Sequence, residues 1–128
     1  MGSAAAEKLS EYPNDVVVID NDGKNLERLG SSFNGKTIKG IEYDTDVLID
    51  AGIAGADVFL AMTPDDNINI MACKIAKDIY GVAKVISRVS NISMKCIYDG
   101  LGIETVSAVE LAINAMIDSI SGKKETKA

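Results

Sequence analysis

The stretch Val16-Val17-Val18-Ile19-Asp20-Asn21-Asp22, preceded by Met1-Gly2-Ser3-Ala4-Ala5-Ala6-Glu7-Lys8-Leu9, decides the fold. Four consecutive Val and Ile residues closed by an acid read as a strand buried on both faces, which is the environment of a parallel sheet. The Ala-rich run before it reads as a helix stopped by Pro13. Helix, strand and terminal acid in this order form the second half of a dinucleotide-binding βαβ unit. In such a unit a first strand and a Gly-x-Gly-x-x-Gly turn come before the helix, and the acid follows about 20 residues on. Gly2 lies 18 positions before Asp20, where the third glycine of that turn falls. The unit's first strand and opening two glycines are not among these residues. The expectation is a start further upstream, a shortened chain, or a gap filled by another segment.

Working outward, five short apolar runs recur at 16–19, 37–40, 58–61, 84–87 and 104–107, so their starts are 20 to 26 residues apart. Helical periodicity fills the intervals, at 3–11, 23–33, 45–51, 65–80, 91–99 and 108–121. Strand and helix alternating at this pitch predict an α/β domain: a Rossmann-like parallel sheet of five visible strands, joined by right-handed crossovers, with helices on both faces. In the fourth helix the expected inward stripe is Ile68, Met71, Ala72, Ile75 and Ile79, with Asn67 and Asn69 on the surface. The last helix places Leu111, Ala112, Ala115, Ile117 and Ile120 over most of its circumference, a pattern suited to a second molecule. One domain over 1–121 and a flexible tail at 122–128 are expected.

Composition narrows the function. Apolar residues make up 47% of the 128 and aromatics 5%, without Trp, so the core is aliphatic. A net charge of −6 argues against nucleic-acid binding, since no basic surface is available to displace counterions. There is no His, which removes His-ligated metal sites and Ser-His or Cys-His nucleophile systems. Cys73 and Cys96 are expected as buried, reduced thiols. No 18-residue apolar run or signal peptide appears.

Ligands of parallel α/β sheets bind beyond the carboxyl ends of the strands, and the polar residues gather there. Asp20, Asn21 and Asp22 follow the first strand, Glu42, Tyr43, Asp44 and Thr45 the second, and Thr63, Asp65, Asp66 and Asn67 the third. Arg88 ends the fourth strand and Glu110 lies past the fifth. Asp20 suits the hydroxyls of a ribose, preferring NAD to NADP, or equally a helix N-cap, which Asn21 and Asp22 also suit. Asp44 reads more as an N-cap, and Thr63-Pro64 as a crevice edge or a helix start with Pro in the first turn. Arg88 suits a phosphate or carboxylate. No catalytic constellation emerges, so binding rather than catalysis is expected. The competing readings are a dinucleotide-binding fragment of a dehydrogenase-like oxidoreductase and a purely structural ring-former.

The order and spacing of these stretches resemble the Trk-type nucleotide-binding domain (TrkA-N), the N-terminal lobe of regulators of potassium conductance. The matching segments are Met1 to Leu9, Val16 to Asp22, Gly40 to Asp46, Ala56 to Thr63, Asp65 to Ile70, Ala76-Lys77, Ile86 to Val89, and Leu101 to Ala112. The resemblance implies a cytoplasmic regulatory subunit, peripherally attached to the membrane through a partner, that binds NAD(H) or ATP/ADP and gates a potassium channel or transporter. By that resemblance Gly2 closes the phosphate turn, Asp20 holds the adenosine ribose with Asn21 nearby, and Ala61, Met62 and Thr63 line the adenine and ribose side. Arg88 and Glu110 fall near the phosphates or a subunit interface. The resemblance further implies pairing through helices near the end of the lobe, as a homodimer or larger ring.

Overall fold

A computed structural model describes residues 2–12, 14–30 and 33–122. The elements run α1 (Gly2–Ser10), β1 (Val17–Asp20), α2 (Gly23–Glu27), β2 (Lys36–Lys39), α3 (Thr45–Asp50), β3 (Val58–Ala61), α4 (Asp66–Lys74), β4 (Lys84–Arg88), α5 (Lys95–Gly100), β5 (Glu104–Val106) and α6 (Ala108–Ser121). The α/β class and the five parallel strands agree with the sequence reading, and strand limits move by one residue. The sheet itself is not continuous. β1 pairs with β2 alone, Val17 opposite Lys36, while β3, β4 and β5 form a separate three-stranded sheet with Leu60, Ile86 and Glu104 in register. No described strand lies between β1 and β3, so each pairs on one side only. In β3, Val58 and Leu60, which share one face of the strand, stay exposed although the strand is apolar throughout.

Two features hold the parts together. Ile19 of β1 packs against the core made by Leu48, Ile53, Ala61, Cys73, Ala76, Val82, Val85, Val89, Tyr98 and Ile103. Helix α1 reaches across: Gly2 lies beside Met62 at the end of β3, and at the other end Ser10 Oγ accepts from Asn34 N–H at 3.3 Å. Glu7 Oε1 accepts from Gly30 N–H at 3.1 Å as well.

Several helices differ from their sequence patterns, each for a local reason. The helix expected over 23–33 is α helix only to Glu27, because Arg28 and Leu29 close three-residue turns on Asn25 and Leu26. Ser31 and Ser32 lie outside the described residues, as do Pro13 and 123–128, most of the expected tail. Gly122 is described and ends α6 with φ +76°. The fourth helix widens after Lys74 into a π turn over Ile75–Ile79, where Tyr80 N–H reaches back to Ile75 O. Its inward face is Asn69, Ala72, Cys73 and Ala76, a set spaced i, i+3, i+4 and i+7; Met71 and Ile79 of the expected stripe are exposed. Small side chains let this helix lie close on the sheet. Asn69, expected on the surface, is fully buried, and Cys96, expected buried, is exposed.

Helix α6 buries no residue, and Leu111, Met116, Ile117 and Ile120 are all exposed. Among the described residues no helix is long and apolar enough to cross a membrane.

Candidate functional site

The carboxyl ends of the strands bring the expected residues into two groups. In the first, Asp20 ends β1 and its carbonyl accepts the N–H of Gly40, so the loop after β2 that carries Glu42, Asp44 and Thr45 starts beside it. The cap of α2 is Asp22, which accepts from Lys24 N–H at 2.9 Å. Asp20 is thereby released from the capping role left open by the sequence. Its carboxylate accepts the Asp22 N–H at 2.9 Å and the Asn25 side-chain amide at 3.2 and 3.4 Å, which orient it while leaving lone pairs free. Asn21 is exposed next to it. Asp44 is the N-cap of α3: one carboxylate oxygen accepts from Asp46 and Val47 N–H, and Thr45 is the first helical residue, exposed.

The second group is built by β3, β4 and the start of α4. Helix α4 begins at Asp66, with Asp65 as N-cap and Pro64 before it, so Pro64 is not in the first turn. The centre is Asn69. Its Oδ1 accepts from the Thr63 N–H (3.1 Å) and hydroxyl (2.7 Å), and its Nδ2 donates to the carbonyls of Thr63 (2.9 Å) and Arg88 (3.1 Å). All four hydrogen-bonding positions of the amide are used, which is what permits its complete burial. Thr63 is held on three sides, and its hydroxyl also accepts from Asp65 N–H at 3.2 Å. One hydroxyl lone pair remains.

Asp66 extends the brace. Its carboxylate accepts from the Ser90 and Asn91 N–H groups, both at 2.9 Å, and from the Tyr98 hydroxyl at 2.9 Å. Burial pushes the Asp66 carboxyl up, but the two amides, the Tyr98 hydroxyl and the nearby Arg88 charge outweigh it and hold the group below its usual value. Burial raises the Tyr98 phenol to about 12 and the Cys73 thiol to about 12. A shallow cavity of about 460 Å³ lies on this rim, lined by Pro64, Asp65, Asp66, Asn67, Asn91 and Met94.

Ala61 is buried at the end of β3, and Met62, half-buried, touches the start of α1. A methyl group added at Gly2 would meet only the Met62 Cβ at 3.8 Å, so the described residues do not themselves require glycine there. Glu110 is exposed in the first turn of α6; its N–H donates to the Ser107 hydroxyl, and its carboxylate has no hydrogen-bond partner among the described residues. Of the brace residues, Asp66 stands in the sequence only among the polar residues after the third strand, and Asn69 reads there as a surface residue of the helix. The available signal was an Asn inside a helix, where its side chain competes with backbone bonding unless it has a fixed partner.

The TrkA-N domain model matches residues 1–109. The chain belongs to the TrkA-N family. It is 39% identical over 117 residues to the Trk system potassium uptake protein TrkA of Streptomyces coelicolor, covering 91% of this chain and 52% of that one. The protein of the same name from Haemophilus influenzae is 32% identical over 91 residues, covering 71% of this chain and 20% of the relative. This TrkA-N chain therefore spans about half, or a fifth, of the relatives it matches. In fold it is similar to the NAD(P)-binding domain of an exopolyphosphatase-related protein from Archaeoglobus fulgidus, with a TM-score of 0.73, 19% identity, and coverage of 94% of this chain and 90% of that one.

Proposed function

We propose that this TrkA-N chain is a nucleotide-binding regulatory module of a potassium uptake system, not an enzyme. NAD(H) or ATP/ADP binds at the carboxyl rim, and the bound state controls a potassium channel or transporter subunit in the membrane, approached from the cytoplasmic side. The observation that carries the reading is Asp20: an acid at the end of β1, freed from helix capping by Asp22 and held with acceptor capacity to spare. A ribose diol donates to such a carboxylate, while a 2′-phosphate is repelled by it. Gly2 puts the first N–H groups of α1 beside Met62, where phosphate oxygens are attracted by a helix start. Met62 and Ala61 supply apolar surface for a base, Thr63 one lone pair, and Arg88 a positive charge for phosphate. Asn21, Thr45 and Asp44 border the ribose side, and Glu110 sits toward a subunit contact.

Regulation follows from unequal affinity. A nucleotide that binds one arrangement of paired domains more tightly shifts the population toward it, and equal affinity shifts nothing. The pairing surface is α6, whose apolar side chains have no partner within the described chain, so a homodimer or larger homo-oligomer is expected. Isothermal titration with NADH, ATP and ADP tests the binding step. At least one should give saturable heat that Asp20→Ala weakens by about 10-fold or more; absence of heat for all three refutes the reading.

A further inference from the structure

The loop entering β2 holds a reactive pair of residues that the carboxyl rim does not involve. Of the eight asparagines in the chain, Asn34 alone is followed by glycine; Asp, Leu, Ile or Ala follows each of the others and sets a Cβ beside the backbone nitrogen. Asn34 and Gly35 are both exposed. Among the described residues neither the Asn34 side-chain amide nor the Gly35 N–H has a hydrogen-bond partner. The amide can therefore swing onto the next backbone nitrogen, which no side chain shields. Packing keeps the glycine in place: a Cβ at position 35 would stand 2.5 Å from the Val16 carbonyl oxygen and would run into the Phe33 ring. That oxygen is itself fixed, because it accepts the Lys36 N–H at 2.9 Å where β1 and β2 begin to pair.

We infer that Asn34 is a site of spontaneous covalent modification, converting in the folded protein to isoaspartate and aspartate through a cyclic imide with Gly35. The Gly35 nitrogen gives its proton to solvent base and bonds to the Asn34 Cγ. The Cγ–Nδ2 bond breaks, and the leaving nitrogen takes a proton from solvent and departs as ammonia. Water then opens the imide at one of its two carbonyls. One opening restores the normal backbone with an Asp side chain; the other routes the backbone through Cβ and Cγ, one carbon longer. Nothing is oxidised or reduced, and water is the sole co-reactant.

The extra carbon falls between two fixed points. The Asn34 N–H donates to Ser10 Oγ at 3.3 Å, which ties down the end of α1, while Gly35 is wedged against Val16 and Phe33. A longer link strains both, and the long bond to Ser10 gives way first. The isoaspartyl form thus releases the C-terminal end of α1.

The test is storage of the chain in warm, mildly alkaline buffer, with and without urea. Ammonia release and peptide mapping by mass spectrometry follow the reaction, and enzymatic methyl transfer from S-adenosylmethionine scores isoaspartate. In the folded protein Asn34 should react first, at a rate within about 10-fold of that in the urea-unfolded chain, since no hydrogen bond of the pair has to open beforehand. Asn34→Ser should abolish this fast phase. The isoaspartyl form, purified by ion exchange, should melt below the fresh protein, whereas Asn34→Asp, with the same charge on a normal backbone, should melt with it. Slower conversion in the folded protein, or another asparagine reacting ahead of Asn34, overturns the assignment of the site. Equal melting temperatures for the isoaspartyl and fresh forms overturn its effect on α1.

Discussion

Replacing Asn69 by Ala removes four hydrogen bonds from a fully buried position, to the Thr63 N–H, hydroxyl and carbonyl and to the Arg88 carbonyl. At about 1 kcal/mol net for each bond, less about 0.6 kcal/mol regained because Ala is the better helix former, the loss is about 3 kcal/mol. For a domain of this size that lowers the melting temperature by about 6–15 °C. Equilibrium unfolding in urea, followed by far-ultraviolet circular dichroism, measures it directly. The neighbouring Asn67→Ala is the control: Asn67 is exposed and its side chain caps nothing, so its change should stay within about 0.5 kcal/mol. If Asn69→Ala costs less than about 1 kcal/mol, the brace between β3 and β4 is not what fixes this rim, and the argument from hydrogen-bond accounting fails.

Three more outcomes are expected. Asp66 has a depressed folded-state pKa, so its contribution to stability is present above the unfolded value of about 3.9 and is lost as pH falls through the lower folded value. Asp66→Asn should be less stable near neutral pH, and its acid unfolding curve should lack that component of the slope; an unchanged curve counts against the clamp on Ser90 and Asn91. Thiol titration with a chromogenic disulfide should label Cys96 rapidly and Cys73 only on unfolding, because Cys73 is fully buried with its thiol raised to about 12; equal labelling rates would show the core to be open. Replacing Ile117 and Ile120 together by Glu should shift the protein to the monomer mass in light scattering, and an unchanged mass would remove α6 as the pairing surface.

The α/β class was legible because Val16–Ile19 and the runs after it carry strand signals at crossover spacing, a feature that survives any detail of packing. The break between β1 and β3 is not marked by apolar patterning, which shows a strand but not its neighbours; it falls where the first strand of a dinucleotide-binding unit, missing from these residues, has its place in the middle of the sheet. The inward face of α4 was misread for a related reason: periodicity favoured large side chains, whereas close helix–sheet approach selected Asn69, Ala72, Cys73 and Ala76. Asp44 was readable as a cap because capping is local. The network of Asp66, Asn69 and Tyr98 was not, as it joins residues up to 32 positions apart.

The central claim is that one ligand bridges the two groups of residues at the carboxyl rim. Amide chemical-shift mapping by two-dimensional NMR during titration with NADH and with ADP tests it most directly. The account predicts saturable shifts at Gly2–Ala4, Asp20–Asp22, Gly40–Thr45 and Ala61–Thr63 together. Shifts confined to the opposite end of the sheet, around the cavity of about 290 Å³ lined by Lys77, Lys84, Gly102 and Glu104, would contradict it.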